Sequence, residues 1–190
     1  MWETLLEIDR DTFCWIHHSW IGEFESFWVF VTRIQNWFLL YILFFYLLFK
    51  RVKKPLNYIA MTAIPVVVSV TLLITNLVKN RVERLRPNND PVLMDSIQIV
   101  WRTENFSFWS GHSAVSFAAT SFVVLVLRST GMTRWILLMY IWPVTFAFSR
   151  IFVGVHYPAD VGIGMLVGLL LGGWCYLLFS KIEIRLQHTA

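Results

Sequence analysis

Long apolar runs separated by short polar stretches dominate this chain. Asn57–Val78 has 22 residues without a charge, and at about 1.5 Å per residue a helix of that length crosses a hydrocarbon core of roughly 30 Å. Val161–Ser180 is a second such run. Ser113–Leu127 and Trp135–Phe148 are shorter, and each reaches spanning length when its polar flanks lie at the interface. These runs predict four membrane-spanning helices.

A fifth run, Phe27–Phe49, is long enough to span but is interrupted by Arg33, Gln35 and Asn36. Polar groups at membrane depth must face the inside of a bundle or lie near its end. The composition agrees with a membrane protein, because 57% of the 190 residues are hydrophobic and only 15% are charged. One water-soluble core of this size cannot bury that much apolar surface. We therefore predict an all-α protein, a polytopic membrane helical bundle with about five spans.

The first 25 residues differ from the rest, since they carry six acidic side chains against the single Arg10. Their apolar side chains fall roughly along one helical face, and these are Trp2, Leu5, Leu6, Phe13, Ile16 and Trp20. Such a pattern predicts an amphipathic helix that lies on the membrane interface or is partly inserted. We divide the chain into this helix, residues 1–25, and a membrane-embedded domain, residues 26–190, with six helices in all.

The distribution of basic residues predicts the orientation. Lys50, Arg51, Lys53 and Lys54 fill the loop after the first span, and the positive-inside rule makes that loop cytoplasmic. Five spans then place the remaining polar blocks on the opposite face, which is the periplasm or exterior of a bacterial inner membrane. The basic residues of those blocks are discounted, because a cluster that binds an anion is not free to report topology.

The first polar block follows the second span and holds four cations: Lys79, Arg81, Arg84 and Arg86. Positive charge at this density repels itself unless an anion is present. Arg86 can hold phosphate oxygens through two N–H groups, while Lys79 acts as a point charge. We expect Arg81 and Arg84 to contact solvent or lipid headgroups. The alternative for the block is interfacial anchoring followed by a turn.

The second block is Ser110-Gly111-His112, directly before an apolar run. Unpaired N–H groups at a helix N-terminus, with glycine permitting close approach, can bind an anion. His112 at that end could protonate a leaving oxygen. An ordinary helix start would also use Ser and Gly there, so the block alone decides nothing.

The third block contains Arg150, His156 and Asp160. The chain enters its last helix at about Pro158, which suits the first helical turn. A bend could bring the Asp160 carboxylate to one ring nitrogen of His156, fixing the tautomer and raising the nucleophilicity of the other nitrogen. An ordinary helix start with an interfacial histidine is the alternative.

Together the blocks resemble the three-part motif of the type 2 phosphatidic acid phosphatase (PAP2) superfamily. The resemblance covers about residues 57–180, and it rests on order and spacing: Lys79, six residues, Arg86-Pro87; Ser110-Gly111-His112; Ser149-Arg150, five residues, His156, three residues, Asp160. The chain departs from the family pattern at Trp109, where proline is usual. That change alters a turn and removes no catalytic group.

The resemblance implies that His156 attacks phosphorus to form a phosphohistidine, that Asp160 orients it, and that His112 protonates the leaving group and later activates water. It also implies a set of groups that bind the phosphoryl oxygens: Lys79, Arg86, Ser110, Gly111 and Arg150. No metal ion or other cofactor is implied. The sequence agrees, since it shows no carboxylate cluster or paired histidines at metal-ligand spacing.

We therefore expect a small bacterial membrane lipid phosphatase. The leading substrates are isoprenoid diphosphates, such as undecaprenyl diphosphate, and glycerolipid phosphates, such as phosphatidylglycerol phosphate or phosphatidic acid, with lipid A phosphates behind them. Alternatives are a phosphotransferase or soluble-ester phosphatase with the same site, and a noncatalytic lipid-binding or transport protein. The net charge of +4 lies at membrane edges, which favours membrane lipids over nucleic acid as partners. The oligomeric state is left open.

Overall fold

Helices alone form the described secondary structure of this computed structural model, which describes residues 2–93, 97 and 105–188. The α-helices within those residues are α1 (Trp2–His17), α2 (Glu25–Thr32), α3 (Phe38–Arg51), α4 (Leu56–Val82), α5 (Gly111–Ser129), α6 (Ile141–Phe152) and α7 (Pro158–His188). Short 3-10 helices lie at Ile34–Trp37, Pro87–Asn89 and Arg134–Tyr140. The all-α prediction is confirmed.

Four helical stretches are long and apolar enough to cross a membrane: Leu56–Asn89, Gly111–Ser129, Arg134–Phe152 and Pro158–Leu186. A fifth span exists if Glu25–Thr32 and Ile34–Arg51, which meet at a bend of 70°, are counted as one. The predicted polytopic bundle is confirmed, and the protein is a multi-pass membrane protein.

The predicted first span, Phe27–Phe49, is bent into two helices, α2 and α3, so the described residues contain seven α-helices where six were predicted. The break lies at Arg33, whose backbone is extended. Two side-chain N–H groups bond to carbonyl oxygens near the broken end: the Asn36 amide donates to Phe30 O at 2.7 Å, and the Trp37 indole donates to Val31 O at 2.8 Å. These bonds supply partners that a continuous helix would have supplied.

Helix α5 lies inside the bundle and packs most extensively against α7. Glycines at every fourth position of α7 allow this approach: a Cβ atom at Gly164 would lie 2.6 Å from Ser110 O, and one at Gly168 would overlap Ala114 O and lie 2.7 Å from Phe117 Cβ. These glycines therefore serve close contact between two helices of the same chain. Because α5 begins within the second polar block and α7 carries Asp160 of the third, this contact also holds those blocks together.

Helix α1 docks on the end of the bundle that carries the polar blocks. Phe13 is fully buried, next to Leu93, Tyr157 and Val161. Trp20, which the sequence pattern placed on the same apolar face as Phe13, is 70% exposed. The residues of that predicted apolar face are therefore not all buried against the bundle. The division into residues 1–25 and 26–190 stays a prediction.

Replacing Gly168 with alanine should destabilise the protein by about 1–3 kcal/mol, because the added methyl group overpacks the contact between α5 and α7. Gly173 on the same helix is the matched control, since a Cβ there meets nothing within 4 Å. Gly173→Ala should be neutral or slightly stabilising, given the better helix propensity of alanine. The measurement is thermal unfolding of each variant in detergent. Equal melting temperatures for the two variants would contradict this packing.

Candidate active site

The three polar blocks meet at one end of the bundle, where they line part of a cavity of about 540 Å³. Six of the eight predicted site residues line this cavity: Lys79, Arg86, Gly111, His112, Arg150 and His156. Asp160 and Ser110 are fully buried and lie behind its lining. The fold thus brings together residues that are up to 81 positions apart in the chain.

His156 lies in the loop between α6 and α7 and is 1% exposed. Its Nδ1 atom is 3.5 Å from Asp160 Oδ2, and its Nε2 atom is 3.1 Å from an Arg86 guanidinium nitrogen. A guanidinium can only donate hydrogen bonds, so Nε2 accepts and the ring proton resides on Nδ1, facing the carboxylate. This tautomer leaves on Nε2 the lone pair that a nucleophile requires.

Burial holds the pKa of His156 well below its usual range, and the nearby charges of Arg86 and Lys79 lower it further. The imidazolium form is disfavoured by both effects, since desolvation penalises a charge and the cations repel it. At neutral pH the ring is therefore uncharged, which is the reactive state for attack on phosphorus.

Asp160 joins the third block to the second. Its Oδ2 atom accepts hydrogen bonds from the Ser107 hydroxyl and from the backbone N–H of Tyr157 at 3.0 Å. Its backbone carbonyl accepts the N–H of Ser110 at 2.9 Å. The hydroxyl oxygen of Ser107 also lies 3.4 Å from His156 Nδ1. Sequence reasoning missed Ser107, which precedes the second block without belonging to its motif.

Lys79 and Arg86 are held mainly by neutral oxygen atoms of the loop before α5. Lys79 Nζ donates to the carbonyl oxygens of Phe106 at 2.6 Å and Ser107 at 2.9 Å. Arg86 donates to the carbonyl oxygen and the side-chain oxygen of Asn105 at 2.8 and 2.6 Å, and to Val155 O at 2.8 Å. Carbonyl dipoles fix the cations without cancelling their charge, so the charge remains available to an anion. Asn105 is a second residue that sequence reasoning missed.

Arg150 is buried at the end of α6, where one of its terminal nitrogens donates to Thr32 Oγ1 at 2.5 Å. Its Nε–H has no hydrogen-bond partner within the described part of the chain. A buried donor without a partner is costly, and here it belongs to a cation that lines the cavity. Thr32 comes from α2, so the bend in the first span is what carries this hydroxyl to the site.

His112 and Gly111 begin α5 and line the cavity. The His112 ring packs against Phe146, with ring centroids 5.3 Å apart. Ser110 caps the helix, its hydroxyl accepting the Ser113 N–H at 3.4 Å, as its position before the apolar run indicates. A phosphate contact by Ser110 stays a prediction.

Below the charged end the cavity is apolar and runs between four elements of the bundle. Its walls are formed by α3 (Tyr41, Phe44, Phe45), α4 (Ile64, Val68, Leu72), α5 (Val115, Ala119) and α6 (Trp142, Phe146). A polar cluster at one end and hydrocarbon walls along the rest fit an amphiphile that carries an anionic headgroup.

A sequence profile of the PAP2 superfamily matches residues 55–184 of this chain. The chain belongs to the PAP2 superfamily. It is 31% identical over 163 residues to a lipid A 4′-phosphatase of Bacteroides thetaiotaomicron, which covers 80% of this chain and 68% of that protein. It is 26% identical over 188 residues to a lipid A 4′-phosphatase of Porphyromonas gingivalis, covering 96% and 78%.

The fold is similar to the crystal structure of a transmembrane PAP2 type phosphatidylglycerolphosphate phosphatase from Bacillus subtilis, with a TM-score of 0.64 and 20% identity over 96% of this chain and 86% of that one. This likeness concerns the fold. The predicted enzyme class is confirmed by the family match and by the phosphatase relatives: this protein is a PAP2 lipid phosphatase. The sequence motif had already predicted this enzyme class, whereas the cavity is visible only in the folded structure.

Trp109, where the PAP2 pattern usually has proline, ties the turn before α5 to the neighbouring span. Its indole N–H donates to Thr75 Oγ1 on α4 at 2.9 Å. This bond fixes a turn that proline would otherwise restrict through its ring. The departure therefore leaves the predicted catalytic groups in place.

The expectation that Arg84 contacts solvent or lipid headgroups is wrong. Its side chain is 14% exposed and forms ion pairs with Asp160 at 2.8 Å and with Asp9 at 2.7 Å. Both partners are at least 75 positions away in the chain, so no local pattern could reveal them. Arg81 is exposed, as predicted.

The described residues contain no group of three or more His, Cys, Asp or Glu side chains placed to hold a metal ion. Metal independence stays a prediction for this PAP2 phosphatase, and it is tested below.

Proposed function

We propose that this phosphatase hydrolyses the phosphomonoester of a membrane lipid through a phosphohistidine on His156. The observation that carries the proposal is the cavity, in which the His156 ring and three cations stand at one end of a long apolar passage. A lipid phosphate can place its headgroup among the cations and part of its hydrocarbon between the spans.

A lipid A phosphate is our first candidate substrate. The support comes from the two lipid A 4′-phosphatases, which match 80% and 96% of this chain. Isoprenoid diphosphates and glycerolipid phosphates, which the sequence alone placed ahead, are the alternatives.

In the first chemical step His156 Nε2 attacks phosphorus, a P–N bond forms, and the bond from phosphorus to the lipid oxygen breaks. His112 donates a proton to that departing oxygen. Arg86 must release Nε2 at this point, and with Lys79 and Arg150 it stabilises the negative charge on the equatorial oxygens. Asp160 stabilises the positive charge that develops on the His156 ring.

In the second step His112, now neutral, takes a proton from water, and the resulting hydroxide attacks phosphorus. The P–N bond breaks, which releases inorganic phosphate and restores the neutral His156 ring. The same histidine therefore acts first as an acid and then as a base, and no other proton carrier is needed.

The proposed location is a bacterial inner membrane, with the site facing the periplasm or exterior. Lys50, Arg51 and Lys53 are exposed at the end of α3 and in the turn before α4, whereas Lys79 lies near the other end of α4. The 27 residues of α4 separate these two ends by about 40 Å, so the basic turn and the site lie on opposite faces. The positive-inside rule then assigns the turn to the cytoplasm.

Purified protein in detergent should release phosphate from lipid A faster than from phosphatidic acid, phosphatidylglycerol phosphate or undecaprenyl diphosphate. Glycerol 3-phosphate should be at least ~10-fold poorer in kcat/KM, since it lacks the remote binding energy of a lipid chain. EDTA should leave the rates unchanged. The His156→Ala variant is the control for phosphate release that does not come from this site. Preference for the soluble ester would overturn a lipid substrate, and loss of activity in EDTA would overturn metal independence.

The two histidines should respond differently to the leaving group. His156→Ala removes the attacking atom, so turnover should fall by at least ~10³-fold for every substrate. His112→Ala removes the proton donor, which costs about 10²–10⁴-fold with a poor alkoxide leaving group and less with an aryl phosphate. Thermal unfolding of both variants verifies the fold. If an aryl phosphate restored the activity of both variants equally, the assignment of His156 as nucleophile and His112 as proton donor would be wrong.

Orientation is tested with single cysteines at two exposed positions in a background with Cys14 and Cys175 replaced by alanine. A cysteine at Asn89 should react with a membrane-impermeant thiol reagent in cells whose outer barrier is permeable, while one at Lys53 should react only after lysis. The opposite labelling pattern would show that the site faces the cytoplasm.

A further inference from the structure

The Asp160 carboxylate is fully buried, and its two oxygen atoms have different surroundings. Oδ2 is 3.5 Å from the His156 ring nitrogen and accepts the Ser107 and Tyr157 bonds described above. Oδ1 accepts a hydrogen bond from Arg84 at 2.8 Å. A buried carboxylate needs a compensating cation, and the ion pair with Arg84 supplies it on the side away from the histidine.

Arg84 is held in a fixed orientation by one aromatic ring against its guanidinium group and by bonds from both of its terminal nitrogens. The second nitrogen donates to Asp9 Oδ2 at 2.7 Å, and the guanidinium carbon lies 4.0 Å from the centre of the Tyr157 ring. Two donors with different acceptors and a stacked plane define the position of an arginine in a way that lysine cannot reproduce.

Asp9, on α1, joins this arginine to the start of the last span. Its Oδ1 atom accepts the backbone N–H of Ala159 at 2.9 Å, in the first turn of α7, where helix N–H groups have no partner within the helix. One carboxylate therefore holds both Arg84 and the segment that carries His156 and Asp160. The chain of contacts runs from α1 through Arg84 to the catalytic pair.

We propose that Arg84 and Asp9 are positioning residues for catalysis, with α1 holding Arg84 so that Asp160 presents Oδ2 to His156. The proposal rests on the assignment of His156 as nucleophile and Asp160 as its orienting group. Neither Arg84 nor Asp9 lines the cavity, so both act through Asp160 and not on the lipid. The N-terminal helix is then part of the catalytic apparatus as well as a membrane-surface element.

A neighbouring contact of α1 provides a matched control. Arg10 donates to Asp90 at 3.0 Å and is one-third exposed, and Asp90 also accepts the Tyr157 hydroxyl at 2.8 Å. This ion pair ties the same helix to the same loop, but neither Arg10 nor Asp90 bonds to Arg84 or Asp160, and Tyr157 lies between the two pairs. Loss of an ion pair at this exposure should cost little stability.

The test compares Arg84→Gln, Asp9→Asn and Arg10→Gln in the purified full-length protein with an aryl phosphate. Arg84→Gln should lower kcat by about 10²-fold, the scale of a small misplacement of catalytic groups, and leave KM within about threefold. Asp9→Asn, which changes charge without changing size, should lower kcat by about 10-fold. Arg10→Gln should stay within about twofold of the wild type.

The double variant Arg84→Gln/Asp9→Asn separates positioning from general stabilisation. If Asp9 acts through Arg84, the double variant should be no slower than Arg84→Gln alone, since the second change removes nothing further. Losses that multiply, a KM effect that exceeds the kcat effect, or equal losses in Arg10→Gln would overturn the proposal. If Arg84→Gln fails to fold, Asp9→Asn is compared with Arg10→Gln. Equal losses of kcat in these two variants, or a KM effect of Asp9→Asn that exceeds its kcat effect, would overturn the proposal.

Rapid trapping of the phosphoenzyme distinguishes this proposal from the function on which it rests. The trapped phosphohistidine is recognised because it is lost in acid. Wild-type protein should form an acid-labile phosphate adduct on His156, and Arg84→Gln should form the same adduct about 10²-fold more slowly. Equal rates would overturn only the positioning role. An adduct on another residue, or none in the wild type, would instead overturn the proposed function and the positioning role with it.

Discussion

The candidate active site depends on holding three positively charged side chains close together in surroundings of low dielectric constant. Lys79, Arg86 and Arg150 are each about 5% exposed and line one cavity, where their mutual repulsion is strong. Lys79 and Arg86 are held largely by backbone carbonyls, which compensate part of the desolvation cost and leave the positive charge intact. This repulsion costs free energy in folding, and the phosphate that we propose as ligand would offset it by placing negative charge among the three cations.

That requirement explains why the segment before α5 matters as much as the motifs themselves. Asn105, Phe106 and Ser107 supply the acceptors for Lys79 and Arg86, and Ser107 also bonds to Asp160. Their contacts join the end of α4 to the start of α7, which are distant in sequence. The segment thus acts as a scaffold for groups that would otherwise repel one another.

The bundle supplies the apolar part of the cavity, whose walls come from α3, α4, α5 and α6. The glycine positions of α7 bring it against α5, and α5 in turn forms one wall of the cavity. The bend at Arg33 lets the first span contribute both Thr32 to the charged end and Tyr41 to the apolar wall. The polar interruption in the sequence therefore lies between a residue that bonds to Arg150 and a residue of the apolar wall.

The sequence by itself determined the fold class, the approximate spans, the enzyme class and six of the residues that line the cavity. These properties reside in local patterns, because apolar runs report membrane burial and motif spacing reports the ends of helices. Only the tertiary structure decided the partners of Arg84, the break in the first span and the docking of α1. The partners of Arg84 and the docking of α1 depend on contacts between residues 75 or more positions apart, and a side chain such as Asp9 carries no local sign of which distant group it will meet. The break in the first span is held by bonds between residues six positions apart, but the apolar run that contains it does not show where a helix will bend.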